Sequence, residues 1–160
     1  MIIIGIDPGV RFAGFAVMKK QGQVIQLLDC GYLAMKPTCP LPDRIAQLHD
    51  FFNKKIVQFS VDTLVLETPF LGKSPQNFLK LGYVRGILYL LTSKYSLALY
   101  EFAPTQIKQA ITGFGGASKD QLARVIHQLF PKMKATDRFD ITDAVAITLC
   151  GAWSAKTISL

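Results

Sequence analysis

The chain has 160 residues, half of them hydrophobic, and its 18 Lys and Arg residues against 11 Asp and Glu give a formal net charge of +7. This length is enough for one domain with a full hydrophobic core. No stretch is long and uncharged enough to span a bilayer, and the first residues lack the basic region and cleavage site of a signal peptide. We therefore expect a cytoplasmic protein without a membrane segment.

The excess of positive charge favours a polyanionic partner, most simply nucleic acid. The alternative is a basic, solvated face that only keeps the protein soluble. The cysteines, Cys30, Cys39 and Cys150, are odd in number and lack metal-site spacing. This pattern is typical of reduced thiols in a cytoplasmic protein.

The first predicted element is the apolar run Ile2–Ile6, which ends in an acid, Asp7. A run without polar alternation is typical of a strand buried on both faces, and Pro8 and Gly9 then turn the chain. Asp7 is therefore expected at the carboxyl end of a central strand, where a carboxylate is costly unless positive charge meets it. Taken alone, Asp7 could equally cap the turn or be solvated at the sheet edge.

Two further strands are predicted over Phe12–Val17 and Val24–Leu28, with a hairpin turn at Lys19–Gly22. Strands joined by so short a turn are antiparallel. Three prolines predict a loop over residues 34–42. From Asp43 onward apolar residues recur every three or four positions, which predicts an amphipathic helix.

A short buried strand over Leu64–Leu66 also ends in an acid, Glu67. A second helix is predicted to begin with Ser74 as N-cap and Pro75 at its first position, and to run to about Tyr95. Apolar residues lie on two faces of this helix, so we expect it to be covered on both sides.

The remaining elements are a strand over Leu97–Phe102 and three helices. The first of these helices spans Thr105–Thr112, and the second begins with a capping box of Ser118 and Gln121. The third helix runs from Asp140 to about Trp153. The whole order predicts a single α/β domain over residues 1–160, with a mixed sheet of about five strands flanked by helices. It resembles the ribonuclease H-like architecture.

Four acids form a candidate site in this arrangement. The carboxylates of Asp7 and Glu67 meet at one sheet edge if their strands are parallel neighbours, while Asp140 and Asp143 lie on one face of the first turn of the last helix. The positive end of the helix dipole favours the ionised form of both aspartates. Mg²⁺ prefers carboxylate oxygens, and two such ions about 3.5–4 Å apart stabilise the attacking and leaving oxygens at a phosphodiester. The alternative for Asp140 and Asp143 is helix capping.

Six segments, in this order along almost the whole chain, resemble the RuvC-type Holliday junction resolvases. They are Gly5–Gly9, Glu67–Phe70, Leu79–Gly86, Gln106–Gln109, Gly113–Gly115 and Asp140–Ala144. The glycine-flanked Asp after a strand is weak evidence alone, because sugar kinases and actin-like ATPases share it. The chain departs from the family pattern at Thr68 and Pro69, where many members have Gln or Glu, and in lacking the basic tail of many members.

The resemblance implies that Asp7, Glu67, Asp140 and Asp143 are the catalytic, metal-binding residues. It also implies a homodimer that nicks two opposing strands of a four-way DNA junction symmetrically, with two Mg²⁺ ions, or Mn²⁺ in their place, in each active site. Such an enzyme acts in homologous recombination and DNA repair, alongside the RuvA and RuvB branch-migration proteins.

Contacts to DNA are expected from residues outside the four acids. Lys108 and Lys119 match family lysines near the active site and are expected to contact phosphates, unless they are ordinary surface lysines. Phe70 either stacks on an unpaired base at the junction or belongs to the core. Further candidates for phosphate contact are Lys73, Lys80, Arg85 and Arg124.

The second predicted helix is also the expected dimer interface, because the sheet of one domain can cover only one of its two apolar faces. Gly82 and Gly86 lie four residues apart and would let two helices approach closely. The alternative is that these glycines pack against the protein's own sheet.

Three other functions share some of these sequence features with a resolvase. A YqgF-type enzyme of ribosomal RNA processing shares the first strand motif, but the Leu79–Gly82 segment and the glycines before Lys119 favour the resolvase. A DNA-binding module without catalysis would gain nothing from an anionic site facing phosphates. A sugar kinase needs two lobes, for which this chain is too short.

Overall fold

The structure is a computed structural model and describes residues 1–69, 74–133 and 138–154. The described elements alternate much as the sequence predicts. In chain order they are β1 (Ile2–Asp7), β2 (Phe12–Gln21), β3 (Val24–Ala34), α1 (Leu41–Phe59), β4 (Thr63–Glu67), α2 (Pro75–Lys94), β5 (Ala98–Phe102), α3 (Pro104–Thr112), α4 (Lys119–Leu129) and α5 (Phe139–Ser154).

The five strands form one mixed sheet in the order β3-β2-β1-β4-β5. β1 pairs antiparallel with β2 and parallel with β4, and β4 pairs parallel with β5. The predicted central position of β1 is therefore confirmed. Its parallel pairing with β4 brings the carboxyl ends of both strands to the same edge of the sheet.

Each face of the sheet carries its own core. On one face, Ile4 and Ile6 of β1 pack with α1 and α2, where Phe52 and Leu88 are fully buried. On the other face, Ile3 belongs to a second core with α3, α4 and α5. This burial on both sides is why β1 reads as an apolar run without alternation.

Helix α5 lies close against β1 and β2 because both strands carry glycine beneath it. A Cβ atom at Gly5 would overlap Thr148, and one at Gly14 would overlap the backbone carbonyl of Asp140. Larger residues would push the helix away from the sheet. The two glycines therefore set the distance between the sheet and the start of α5, which carries Asp140 and Asp143.

The first hairpin is longer than the sequence predicts. Strands β2 and β3 run ten and eleven residues, and the turn lies at Gly22, with φ +59°, rather than over Lys19–Gly22. The second half of β3 was not predicted, because polar Asp29 and small Gly31 interrupt the apolar pattern of the sequence there. Backbone pairing with β2 nevertheless continues to Ala34.

The predicted helix starts are close to those observed. The hydroxyl of Ser74 accepts a hydrogen bond from the Asn77 amide at 3.3 Å, and Ser118 and Gln121 form the predicted capping box. Helix α1 begins earlier than predicted, at Leu41, because proline is tolerated in the first turn of a helix. None of the described helices is long and apolar enough to cross a membrane.

Only one face of α2 is covered within the described chain. Val84 and Leu88 are buried against the sheet, whereas Leu79, Tyr83 and Leu90 are exposed. One copy of the chain therefore covers only one apolar face, as the sequence analysis expects, and coverage of the second face by a partner stays a prediction. The exposed face is available for a partner.

Candidate active site

Asp7 and Glu67 end adjacent parallel strands, the arrangement that the predicted meeting of their carboxylates requires. The β1–β4 pairing runs to the residues just before them, so both side chains emerge at the same sheet edge. They line a small cavity of about 170 Å³ at that edge. The other residues that line it are Pro104, Ile107, Lys108, Lys119, Leu122 and Asp143.

The start of α5 brings the remaining two acids to this edge. Asp143 faces the cavity directly. Asp140 does not line the cavity, but its negative charge raises the pKa of Asp7. The predicted gathering of all four acids is therefore observed, with Asp140 at the margin. We call Asp7, Glu67, Asp140 and Asp143 the acidic site.

Burial and the neighbouring negative charges raise the pKa of two of these carboxylates, Asp7 and Glu67. Burial, followed by the charges of Asp143 and Glu67, raises the pKa of Asp7 from 3.8 to about 7. Burial also raises the pKa of Glu67, and the charge of Asp143 adds to that rise. A site that holds anions at such cost is built to meet positive charge.

Two lysines that line the cavity supply positive charge to it. The Lys119 ammonium lies 2.6 Å from an oxygen of Asp143. Burial would lower the pKa of Lys119, but its hydrogen bond to Asp143 and the nearby negative charges outweigh burial and raise it. Lys108 lines the same cavity, and its charge lowers the pKa of Glu67.

The donor set fits a hard divalent cation, because it consists of carboxylate groups and those of Asp7, Glu67 and Asp143 line one cavity. Nevertheless, among the described residues no three His, Cys, Asp or Glu side chains are arranged to hold a metal ion. Two of the acids form ion pairs with basic side chains instead. Asp143 pairs with Lys119, and Asp140 lies 3.1 Å from Arg138. The predicted pair of metal ions therefore stays a prediction.

Arg138 also belongs to the site, through its ion pair with Asp140, although no sequence pattern predicts it. Its guanidinium lies 3.7 Å from the ring centroid of Phe12 and 4.5 Å from that of Tyr32, besides pairing with Asp140. These rings come from β2 and β3, far away in sequence. The only signal in the sequence is an arginine two residues before an acid, which is too common to single out.

Arg85 requires a correction. It was predicted to contact DNA phosphates, but it is 4% exposed and therefore cannot present its charge to a DNA strand. Its guanidinium donates hydrogen bonds to the Glu67 carbonyl, to the Tyr89 hydroxyl and to the Glu101 carboxylate. The sequence pattern could not show this pairing, because Arg85 lies on helix α2 and Glu101 lies on strand β5.

The other predicted DNA contacts differ in their surroundings. Arg124 is exposed on α4 and Lys80 is partly exposed on α2, and their contact with DNA stays a prediction. Phe70 and Lys73 lie outside the described residues.

The predicted interface glycines lie on the open side of α2. A Cβ atom at Gly82 or Gly86 would meet no described atom within 4 Å. The alternative that they pack against the protein's own sheet is therefore excluded for the described part of the chain.

The mixed sheet, with acids at the ends of two adjacent parallel strands and on the last helix, defines a ribonuclease H-like nuclease. The family model of the crossover junction endodeoxyribonuclease RuvC matches residues 3–151. The chain belongs to this family, which confirms the resemblance and favours it over a YqgF-type enzyme.

Relatives support this assignment over most of their length. The chain is 36% identical over 150 residues to the crossover junction endodeoxyribonuclease RuvC of Pelodictyon phaeoclathratiforme, covering 94% of this chain and 78% of the relative. The structure of Thermus thermophilus RuvC matches with a TM-score of 0.84 and 25% identity, covering 96% of this chain and 94% of that one. T. thermophilus RuvC in complex with Holliday junction substrate matches with a TM-score of 0.87 and 25% identity over 95% and 93% of the two chains.

Proposed function

We propose that this chain resolves four-way DNA junctions by metal-dependent nicking of two opposing strands. The observation that carries the proposal is the acidic site itself, in which Asp7 and Glu67 end adjacent strands and face Asp143 across a cavity that also contains two lysines. Family membership adds the substrate, because the relatives are crossover junction endodeoxyribonucleases.

The four acids would hold the divalent ions in this proposal, with Asp7 at the centre because it is the one whose pKa all three others raise. When bound, Mg²⁺ supplies Lewis-acid polarisation of the scissile phosphate and stabilises the charge that develops on its oxygens. The protein's own task is to keep the carboxylates close and ionised. Lys119 contributes to this, since its charge lowers the pKa of both Asp7 and Glu67.

Lys108 and Lys119 would bind the DNA backbone beside the scissile phosphate. A site made only of acids would repel a phosphate at close range. The ammonium groups of these two lining lysines offset this repulsion, and the net charge of +7 attracts the junction from a distance. Arg124 and Lys80 extend the basic surface. Stacking of Phe70 on a junction base and a phosphate contact from Lys73 remain predictions.

Two opposing strands require two acidic sites, because one cavity serves one phosphate at a time. A two-fold homodimer supplies both sites with the symmetry of the junction. The exposed apolar face of α2, with Leu79, Tyr83 and Leu90 around the open glycines Gly82 and Gly86, is the proposed interface. Cooperation with the RuvA and RuvB branch-migration proteins is part of the proposal and rests on family membership alone.

We further propose a cytoplasmic location. Cys30, Cys39 and Cys150 all carry free thiols, as expected of a reducing compartment.

The proposal is tested by incubating the protein with synthetic four-way junctions, three-way junctions, linear duplex and structured RNA, each with Mg²⁺, with Mn²⁺ and with a chelator. We expect paired nicks in the four-way junction only, and none in the chelator. Cleavage of structured RNA in preference to the junction would favour ribosomal RNA processing. Cutting in the chelator would exclude metal-dependent chemistry.

A further inference from the structure

Arg85 joins three elements behind the acidic site. Its side chain, on α2, is 5% exposed. Nη1 donates a hydrogen bond of 2.5 Å to the backbone carbonyl of Glu67 at the end of β4. Nη2 donates to the Tyr89 hydroxyl at 2.9 Å and to the carboxylate of Glu101 on β5. One guanidinium therefore links α2, β4 and β5 at the strand end that carries Glu67.

The Glu67 carbonyl lies at the end of β4, where the strand no longer pairs with β1 but still pairs with β5. The pairing of β1 with β4 ends one residue before Glu67, while β5 still pairs with it through Phe102. The next amide, that of Thr68, donates to the Phe102 carbonyl at 2.8 Å. Arg85 thus fixes the peptide from which the Glu67 side chain projects, just beyond the last β1 pair.

The network around Arg85 has a defined geometry. A buried guanidinium is costly unless its N–H groups find acceptors, and here Glu101 supplies the counter-charge. The Tyr89 hydroxyl also donates to Glu101, at 2.8 Å. Because a guanidinium presents its donors in fixed directions, satisfying all three acceptors sets one position of α2 relative to the end of β4.

We propose that Arg85 is a positioning residue for DNA cleavage, which holds the Glu67 backbone so that its carboxylate meets the other acids, and which does not itself contact DNA. The inference rests on the proposed function, since that function gives Glu67 its role. The proposal separates junction binding from cleavage: binding is expected not to depend on Arg85, whereas the cleavage step is expected to depend on it. A displacement of about 1 Å in a reacting group can lower a rate about 100-fold.

The decisive variant removes the network without leaving a buried charge. In the double variant Arg85→Met/Glu101→Met, both charges are replaced by apolar side chains, an exchange that often leaves stability unchanged. We expect a melting temperature near that of the wild type and unchanged junction binding in a chelator. The single-turnover cleavage rate with Mg²⁺ is expected to fall about 10- to 100-fold.

Two further variants distinguish a positioning role of Arg85 from a general loss of stability. Arg85→Lys retains the charge but cannot donate to all three acceptors at once, so we expect folded protein that binds junctions and cuts slowly. Leu91→Val is the matched control, because Leu91 is buried in the same helix and is not part of the network. It is expected to lower the melting temperature and leave the cleavage rate of the folded protein unchanged.

Each result decides between a positioning role and a purely structural one. Slow cutting with intact binding and folding, in the double variant or in Arg85→Lys, supports the proposal. Wild-type cutting by a folded Arg85 variant overturns it. Unfolding of every Arg85 variant also overturns it, because Arg85 would then serve the core alone. If the wild type does not cut junctions at all, the proposed function itself fails, and this inference fails with it.

Discussion

Lys119 and Asp143 join the starts of two helices across the acidic site, with Nζ 2.6 Å from Oδ2. Lys119 opens α4, where the Ser118 capping box fixes the first turn, and Asp143 lies near the start of α5. The same ammonium lowers the pKa of Asp7 and of Glu67. Lys119 therefore moderates the repulsion among acids that come from three different elements.

The first prediction concerns the pH dependence of cleavage in Lys119→Ala. Loss of the ammonium removes a charge that lowers the pKa of Asp7, which is already about 7. Asp7 then ionises at higher pH, so the acid limb of the pH–rate profile is expected to move upward. Lys119→Arg keeps the charge and should keep the profile. Single-turnover rates across the neutral range check this, and an acid limb that does not move would contradict it.

The second prediction concerns the four acids. Asp7→Asn, Glu67→Gln, Asp140→Asn and Asp143→Asn are each expected to lower cleavage by about 100-fold or more. Junction binding should stay equal or become stronger, because each variant loses an anion that repels phosphate. The control is Asp120→Asn, an acid in the first turn of α4. A variant that cuts at nearly the wild-type rate would remove that acid from the mechanism.

The third prediction is that Asp7→Asn stabilises the protein at neutral and alkaline pH. Because the pKa of Asp7 rises from 3.8 to about 7 on folding, its ionised form costs free energy only in the folded state. The cost is absent below about pH 4, grows up to about pH 7, and is constant above that. We expect the variant to gain about 1–4 kcal/mol in free energy of unfolding above pH 7 and almost nothing near pH 4.

Urea unfolding of the wild type and of Asp7→Asn at the two pH values, without divalent ions, measures this gain. Asn keeps the shape of the side chain, so the comparison isolates the charge. Equal stability at alkaline pH would mean that Asp7 is better solvated than its burial indicates.

The fourth prediction concerns Lys108. Each phosphate contact releases counterions, so junction affinity should fall steeply with salt. In Lys108→Ala the slope of log affinity against log salt is expected to decrease by about 1. Lys54→Ala is the control, because Lys54 is exposed on α1, which packs on the opposite face of the sheet from α3. Equal slopes for both variants would place Lys108 away from the DNA.

The acidic site could be predicted from sequence because each acid follows a local pattern. Asp7 and Glu67 end apolar runs, and Asp140 and Asp143 share a helical turn, so only the parallel pairing of two strands had to be assumed. The basic residues had no such pattern. In the sequence, Arg85 and Arg138 look like ordinary surface arginines. Only the fold shows that Arg85 pairs with Glu101 and that Arg138 lies over the rings of Phe12 and Tyr32.

Helix α2 shows the same limit. Its two apolar faces were visible in the sequence, but which face the sheet covers depends on how the helix is rotated. The structure buries Val84 and Leu88 and leaves Leu79, Tyr83 and Leu90 exposed. Apolar side chains grouped on one exposed helix face are typical of a surface that binds a partner.

The last prediction tests whether that partner is a second copy of the chain. In Gly86→Leu the new side chain starts in open space, since a Cβ atom there meets nothing described within 4 Å. The folded monomer should therefore tolerate it, and loss of a helix glycine adds to helix stability by up to about 1 kcal/mol. If two α2 helices pack through Gly82 and Gly86, however, leucine holds them apart.

We expect Gly86→Leu to sediment as a monomer, to keep a folded circular dichroism spectrum, and to lose paired incision while single nicks persist. Gln58→Leu, on the exposed surface of α1, adds the same side chain elsewhere and should remain dimeric and fully active. A dimeric Gly86→Leu that still makes paired nicks would place the interface on another surface. Because each copy carries its own acidic site, the ratio of paired to single nicks reports directly on whether two copies act on one junction.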